Sequence, residues 1–126
     1  MTQPADSAQV SVRDAPERNR FEIWVGDDLA GFTLYRAESR APGPVWAFTH
    51  TEIGDAFGGR GLASILIKDA LDEMRKRGIA VLPFCPFVRR YISRHAEYLD
   101  LVPAQDRARF DLAAEAEAEV PKVPGG

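Results

Sequence analysis

The amino-acid sequence predicts a mixed α/β (α+β) fold: an antiparallel N-terminal meander, then a strand–helix–strand unit with two parallel strands, then a further helix. Three observations predict it. Apolar and polar residues partly alternate through the first forty residues, the period of half-buried strands. Over residues 59–77 the period lengthens to that of a helix, and the apolar, uncharged run Ile79–Phe84 follows, the pattern of a strand buried on both faces. With 126 residues, 45% apolar and 28% charged, the chain can build one core but not two ordinary domains.

Residues 1–8 are small and polar and are expected to be disordered, leaving a folded domain over residues 9–102. Gln9–Arg13, Phe21–Val25 and Leu29–Arg36 alternate as strands, with Gly26-Asp27-Asp28 as a hairpin-like turn between the last two. Ala41-Pro42-Gly43-Pro44 breaks the chain. Val45–Ile53 is rich in aromatic and β-branched residues and lies between Pro44 and Gly54, which marks another strand. Strict alternation would put Trp46, Phe48, His50 and Glu52 on one face.

From residue 59 to 77 Leu62, Leu66, Ala70 and Met74 recur every four residues, with Ile65 and Leu71 widening the stripe, and Gly78 is placed to end the helix. In the next strand Pro83 has no N–H, so pairing must fail on at least one side of it. Pro86 suits the first turn of a second helix, along which Val88, Tyr91, Ile92 and His95 follow i, i+3, i+4, i+7. A parallel pair joined through a helix implies a right-handed crossover. Residues 103–126 combine high helix propensity with little apolar surface, so an acidic helical or disordered tail is expected there.

The formal net charge of −3 argues against a general nucleic-acid binder, which needs clustered cations to meet phosphates. A single cysteine excludes an internal disulfide, no leader is visible at Met1–Asp6, and no apolar run approaches the ~20 residues that span a bilayer. A soluble cytoplasmic protein is expected, with neither nucleic acid nor membrane as partner. Two distant histidines and one cysteine lack metal-ligand spacing, so no metal is expected. Arg75, Lys76 and Arg77 complement a helix C-terminus. Arg89, Arg90 and Arg94 could equally face an anionic ligand.

The stretch Ala56-Phe-Gly-Gly-Arg-Gly-Leu-Ala-Ser64 places three glycines where a helix must start. About four amides at a helix N-terminus lack intrahelical partners, and the dipole there favours negative charge. Glycine at 58, 59 and 61 would let phosphate oxygens reach those amides, and Arg60 adds a cation. A Walker A loop is excluded, because the chain has no Gly-Lys pair. A dinucleotide fingerprint fits poorly, since Val81–Phe84 offers no carboxylate for a ribose.

Gly58-Gly-Arg-Gly61-Leu-Ala63 resembles the acyl-CoA pyrophosphate loop of the GNAT acetyltransferases, Arg/Gln-x-x-Gly-x-Gly/Ala, at its final Gly and Ala; Gly58 stands where Arg or Gln is usual. Thr49-His-Thr-Glu52 before the loop, Leu82-Pro-Phe-Cys-Pro-Phe-Val88 after it and Tyr91-Ile-Ser-Arg-His-Ala-Glu-Tyr98 beyond resemble a minimal GNAT subfamily. That subfamily reads His-Thr-x-Val-Pro, Gly-x-Gly-Ile-Ala/Gly, Pro-x-Cys-Pro-Phe and His-Pro-Glu-Tyr. The resemblance runs from about Phe21 to Tyr98. It departs at Ile53-Gly54, at Ala96, and in the hairpin that usually follows the last helix.

The resemblance implies that Gly58, Gly59, Arg60, Gly61, Leu62, Ala63 and Ser64 hold the coenzyme A diphosphate. It places the pantetheine arm between two splayed parallel strands, the thioester near His50–Ile53 and Cys85, and main-chain contact at Ile53. Cys85, before Pro86 and one turn from Arg89, stands in surroundings that activate a thiol; the alternative is a small buried apolar residue. His50 is a candidate proton acceptor or else a core histidine, Glu52 its orienting partner or an exposed carboxylate, and Tyr91 a general acid or a packing residue. A cysteine phosphatase loop fails, because Tyr91 stands where its arginine belongs. The implied activity is acetyl-CoA-dependent N-acetyl transfer to an amine-bearing small molecule or protein, by direct attack or through a cysteine relay; the alternative is a non-catalytic acyl-CoA-binding module acting through a protein partner.

Overall fold

The computed structural model describes residues 9–40, 43–110 and Leu112. Tight turns fold the N-terminal half on itself. A 3-10 turn at Pro16–Arg18, closed by Asn19 at φ 53°, joins β1 (Val10–Ala15) to β2 (Arg20–Val25). The turn around Gly26, at φ 59°, joins β2 to β3 (Asp28–Arg40). β4 (Gly43–Ile53) pairs with β3 over ten residue pairs from Gly31↔Ile53 to Arg40↔Gly43, so both strands run closer to the break than expected. Ala41 and Pro42 of that break lie outside the described residues.

The five strands form one mixed sheet in the order β1-β2-β3-β4-β5, where β5 is Ala80–Pro83. β1 to β4 are antiparallel neighbours, and β4 and β5 are parallel, which is the fold class the sequence predicts. Among the described strands β5 lies at the sheet edge, which is why Pro83 is tolerated. Gly31 is needed for a close approach: a Cβ there would overlap the Glu52 carbonyl and come within 2.5 Å of Ile53 Cδ1.

α1 (Leu62–Arg77) connects the parallel pair. It starts three residues later than periodicity suggests, because Gly59 and Gly61 adopt left-handed φ values of 79° and 73° that no right-handed helix can include. Its buried stripe is Leu62, Leu66, Ile67, Ala70, Leu71 and Met74. Ile65, expected in that stripe, is 38% exposed. An i+4 row drifts by about 40° per step at 3.6 residues per turn. The stripe therefore moves toward Ile67 and Leu71 and leaves Ile65 behind.

After β5 come α2 (Pro86–Arg94), a 3-10 segment Ala96–Leu101, the single turn α3 (Ala104–Arg107) and a 3-10 turn Ala108–Phe110. In α2 Val88, Tyr91 and Ile92 are buried, as their spacing predicts. The described part of the expected tail belongs to the core instead: Phe110 and Leu112 are 4% and 1% exposed, and Phe110 stands edge-on to Phe84 with ring centroids 5.2 Å apart. Two well-placed apolar side chains suffice, and the average polarity of the segment conceals them. Residues 1–8 and 113–126, with the expectations made for them, lie outside the described residues.

Candidate functional site

The site is assembled where β4 and β5 part. Their ladder runs from Val45↔Ala80 to Phe48↔Pro83 and ends with the Cys85 N–H donating to the Phe48 carbonyl at 2.8 Å. β4 continues to Ile53 against β3 alone. Backbone groups of residues 49–53 that do not face β3 therefore face a gap, at the C-terminal ends of a parallel pair, where ligands of α/β sheets bind.

A bulge decides which side chains line that gap. Leu34 pairs with His50 and Tyr35 with Phe48, so Thr49 is an extra residue in β4. Before it, Trp46 and Phe48 join Phe21 and Tyr35 in one aromatic cluster, with Tyr35 and Trp46 stacked at 4.1 Å. After it, Thr51 continues that face, bonded to Thr33 two residues before Tyr35 at 2.9 Å between hydroxyl oxygens. His50 and Glu52 turn to the opposite face, beside Phe32. The expectation that Trp46, Phe48, His50 and Glu52 share a face is thus overturned: one inserted residue inverts all later positions of a period-two strand.

The structure brings Cys85 together with Thr51, not with His50. Thr51 Oγ1 and Cys85 Sγ are 3.2 Å apart across the gap, and with the fully buried Thr33 they form a chain of three hydrogen-bonding groups. Cys85 is 3% exposed and occupies the position before the first turn of α2, where its carbonyl accepts the Arg89 N–H at 3.0 Å. His50 Nε2 lies 3.6 Å from Glu52 Oε1, with the two side chains 57% and 61% exposed. Sequence reasoning passed over Thr33 and Thr51. A hydroxyl at an otherwise apolar inward position of a strand was the available signal, although nothing local joins Thr51 to a thiol 34 residues away.

Ile53 ends β4, and the Gly54 N–H donates to the Ala30 carbonyl at 2.8 Å, which anchors the start of the glycine loop. A 3-10 turn at Asp55–Phe57 leads to Gly58, and Arg60 lies with Cζ 5.5 Å above the Phe57 ring. The first intrahelical bond of α1 runs from the Ile65 N–H to the Gly61 carbonyl at 3.3 Å. The amides of Leu62, Ala63 and Ser64 precede it, so the helix cannot satisfy them. No side chain caps this end and no acidic residue occupies its first turn. A Cβ on Gly59 or Gly61 would meet nothing within 4 Å, so no other part of the chain packs against the loop at these two glycines. The loop fits a diphosphate on this ground: donors and positive dipole without a protein acceptor. Leu62 can take part only through its amide, since its side chain is buried.

Ser64 also lines a groove of ≈ 180 Å³ between α1 and α2, together with Phe87, Arg90, Tyr91, Arg94 and His95. Tyr91 and His95 stack at 4.0 Å, and His95 Nδ1 is 2.9 Å from the Tyr91 carbonyl. Burial pushes the Tyr91 hydroxyl above its ordinary value, so it keeps its proton at neutral pH. Among the described residues no three His, Cys, Asp or Glu side chains gather as metal ligands, and no helix is long and apolar enough to cross a membrane.

Comparison with known proteins adds to this geometry. The chain is similar to the solved structure of a ribosomal-protein-alanine N-acetyltransferase from Brucella melitensis biovar Abortus 2308, with 19% identity and a TM-score of 0.49. That similarity covers 68% of this chain and 61% of the other, so the chain spans less than two thirds of that protein's length. No curated protein matches. Residues 20–101, from the start of β2 through the 3-10 segment after α2, match the family model of the GCN5-related N-acetyl-transferases. The match takes in both parallel strands, the glycine loop and Cys85, and the chain belongs to the GCN5-related N-acetyltransferase family.

Proposed function

We propose that the chain transfers an acetyl group from acetyl-CoA to an amine by direct attack. Acetyl-CoA supplies an acyl group already activated as a thioester. The chain's part is to hold and orient. Amides of Leu62, Ala63 and Ser64, reached past the bare backbone of Gly58, Gly59 and Gly61, take the diphosphate, with Arg60 as the adjoining cation. Backbone amides on the open side of β4 before Ile53 stabilise negative charge on the carbonyl oxygen. His50, oriented by Glu52, accepts the proton of the incoming ammonium, and the coenzyme departs as its thiolate. The observation that carries the reading is the uncapped N-terminus of α1 beside the parting of β4 and β5.

Cys85 supports a second route. Its sulfur sits at that parting, held by Thr51, where it could take the acetyl group as CoA departs with the thiol proton, and then pass that group to the amine and recover its thiol. Two measurements test both routes. Steady release of free CoA thiol from acetyl-CoA with a panel of amines is expected; tight binding without release would instead support a non-catalytic acyl-CoA-binding module. Cys85→Ala is expected to keep its activity, with no acetyl adduct on the wild type by mass spectrometry after brief exposure. An acetyl adduct on the wild type that added amine removes, together with loss of activity in that variant, would establish the relay.

A further inference from the structure

The groove between α1 and α2 holds cations that the fold does not use. Arg20, Arg36, Arg75, Arg77 and Arg109 each pair with a carboxylate. Arg90 and Arg94 have no carboxylate partner among the described residues, and no carboxylate lines the groove they share with Ser64, Phe87, Tyr91 and His95. They stand four apart on one helix, so their guanidinium groups lie on the same side, where like charges repel. The dipole at the end of α2 accounts for Arg94 in the last turn but not for Arg90 beside it. Phe87, 37% exposed, adds an apolar wall.

Ser64 joins this groove to the α1 N-terminus. Its amide is one of the three that the helix cannot satisfy, and its side chain lines the groove. Because Ser64 belongs to both, an anion seated on those amides adjoins the groove that Arg90 and Arg94 line. Coenzyme A carries a third phosphate beyond its diphosphate, a monoester on the ribose, with a charge between −1.5 and −2 near neutral pH by analogy with other phosphomonoesters. Two guanidinium groups suit such a group, and arginine binds phosphate in a fork geometry.

We infer that the Arg90–Arg94 groove is the subsite for the ribose 3′-phosphate of coenzyme A, and that it discriminates the coenzyme from its dephosphorylated form. The inference rests on the proposed acyl-CoA reading. Calorimetric titration of the full chain with coenzyme A and with 3′-dephospho-coenzyme A separates the two. Wild type is expected to bind coenzyme A about tenfold more tightly, the low end for a charge-assisted contact because both arginines are exposed. The double variant Arg90→Gln, Arg94→Gln is expected to bind both forms at the weaker level, with its melting temperature unchanged, while Arg36→Gln behaves as wild type. If neither form binds to wild type, the acyl-CoA reading itself fails. Equal binding of the two forms by wild type overturns only the subsite, as does a double variant that loses affinity for both forms alike. The comparison of the two coenzyme forms on wild type needs no variant to fold.

Discussion

At the C-terminal end of α1, a hollow against β1 is lined by Asp14, Asp69, Asp72 and Glu73 together with Lys76 and Arg77. At the N-terminal end, the groove shared with α2 is lined by Arg90 and Arg94 and by no carboxylate. In the first region charges answer one another. Arg77 bonds Glu73 at 2.8 Å and Asp14 at 2.9 Å, Asp14 also receives the Tyr35 hydroxyl at 2.6 Å, and Tyr98 donates to Asp72 at 2.7 Å. Arg75 grips Asp100 with two nitrogens, each 2.9 Å from a carboxylate oxygen. In the second region amides, dipole and cations all favour an anion that no described residue supplies. One end of the helix is taken up in holding the chain together, and the other is left uncapped.

The largest effect that would sharpen this contrast lies in the core between the two ends. Leu71 is fully buried, and Leu71→Ala is expected to lower stability by about 3 kcal/mol through lost burial and an unfilled cavity, measured by urea unfolding. Coenzyme A affinity of the folded fraction should stay unchanged. Gly61→Glu reverses the pattern. A side chain at a left-handed φ costs about 1–2 kcal/mol of stability, but a carboxylate set before the open amides should weaken coenzyme A binding at least about a hundredfold. Wild-type affinity in that variant would break the comparison.

Tyr98→Phe removes one hydrogen bond at the closed end and is expected to cost about 1 kcal/mol in thermal unfolding, with no change in coenzyme A binding. The smallest effect concerns acid. The hydrogen bond from Arg75 holds Asp100 below the usual carboxylate range. For Asp72 burial acts upward, but hydrogen bonds from Tyr98 and Lys68 outweigh it and the net shift is also downward. A depressed carboxylate adds stability that is complete above its unfolded value near pH 4 and is lost as pH falls through the folded one. Asp100→Asn should therefore cost less than about 1 kcal/mol at pH 7, since the pair is largely exposed, and flatten part of the loss below pH 4. Urea titrations from pH 7 to pH 2 measure both quantities.

Much of the fold was legible because its elements have strong periods. The alternation of Phe21–Val25 and Val45–Ile53, the four-residue recurrence from Leu62 to Met74 and the stops at Gly26 and Gly78 each act over a few residues. The loop was legible for a similar reason, since left-handed glycines before an uncapped helix leave a local mark. The face of His50 was not, because the bulge at Thr49 arises from the register of β4 against β3 and has no signature within β4 itself. Nor was the place of Phe110 and Leu112, whose worth depends on partners such as Phe84.

By itself the sequence determined the order and type of the main elements, the glycine loop and the lone thiol before α2, since backbone preference and hydrophobic period work at short range. Only the tertiary structure decided that Cys85 meets Thr51 rather than His50, that Ile65 faces outward, and that Arg90 and Arg94 stand without the carboxylates that Arg75 and Arg77 find. Those outcomes depend on contacts between residues far apart in the chain, where a one-residue shift in register or a helix drift of tens of degrees changes which groups meet.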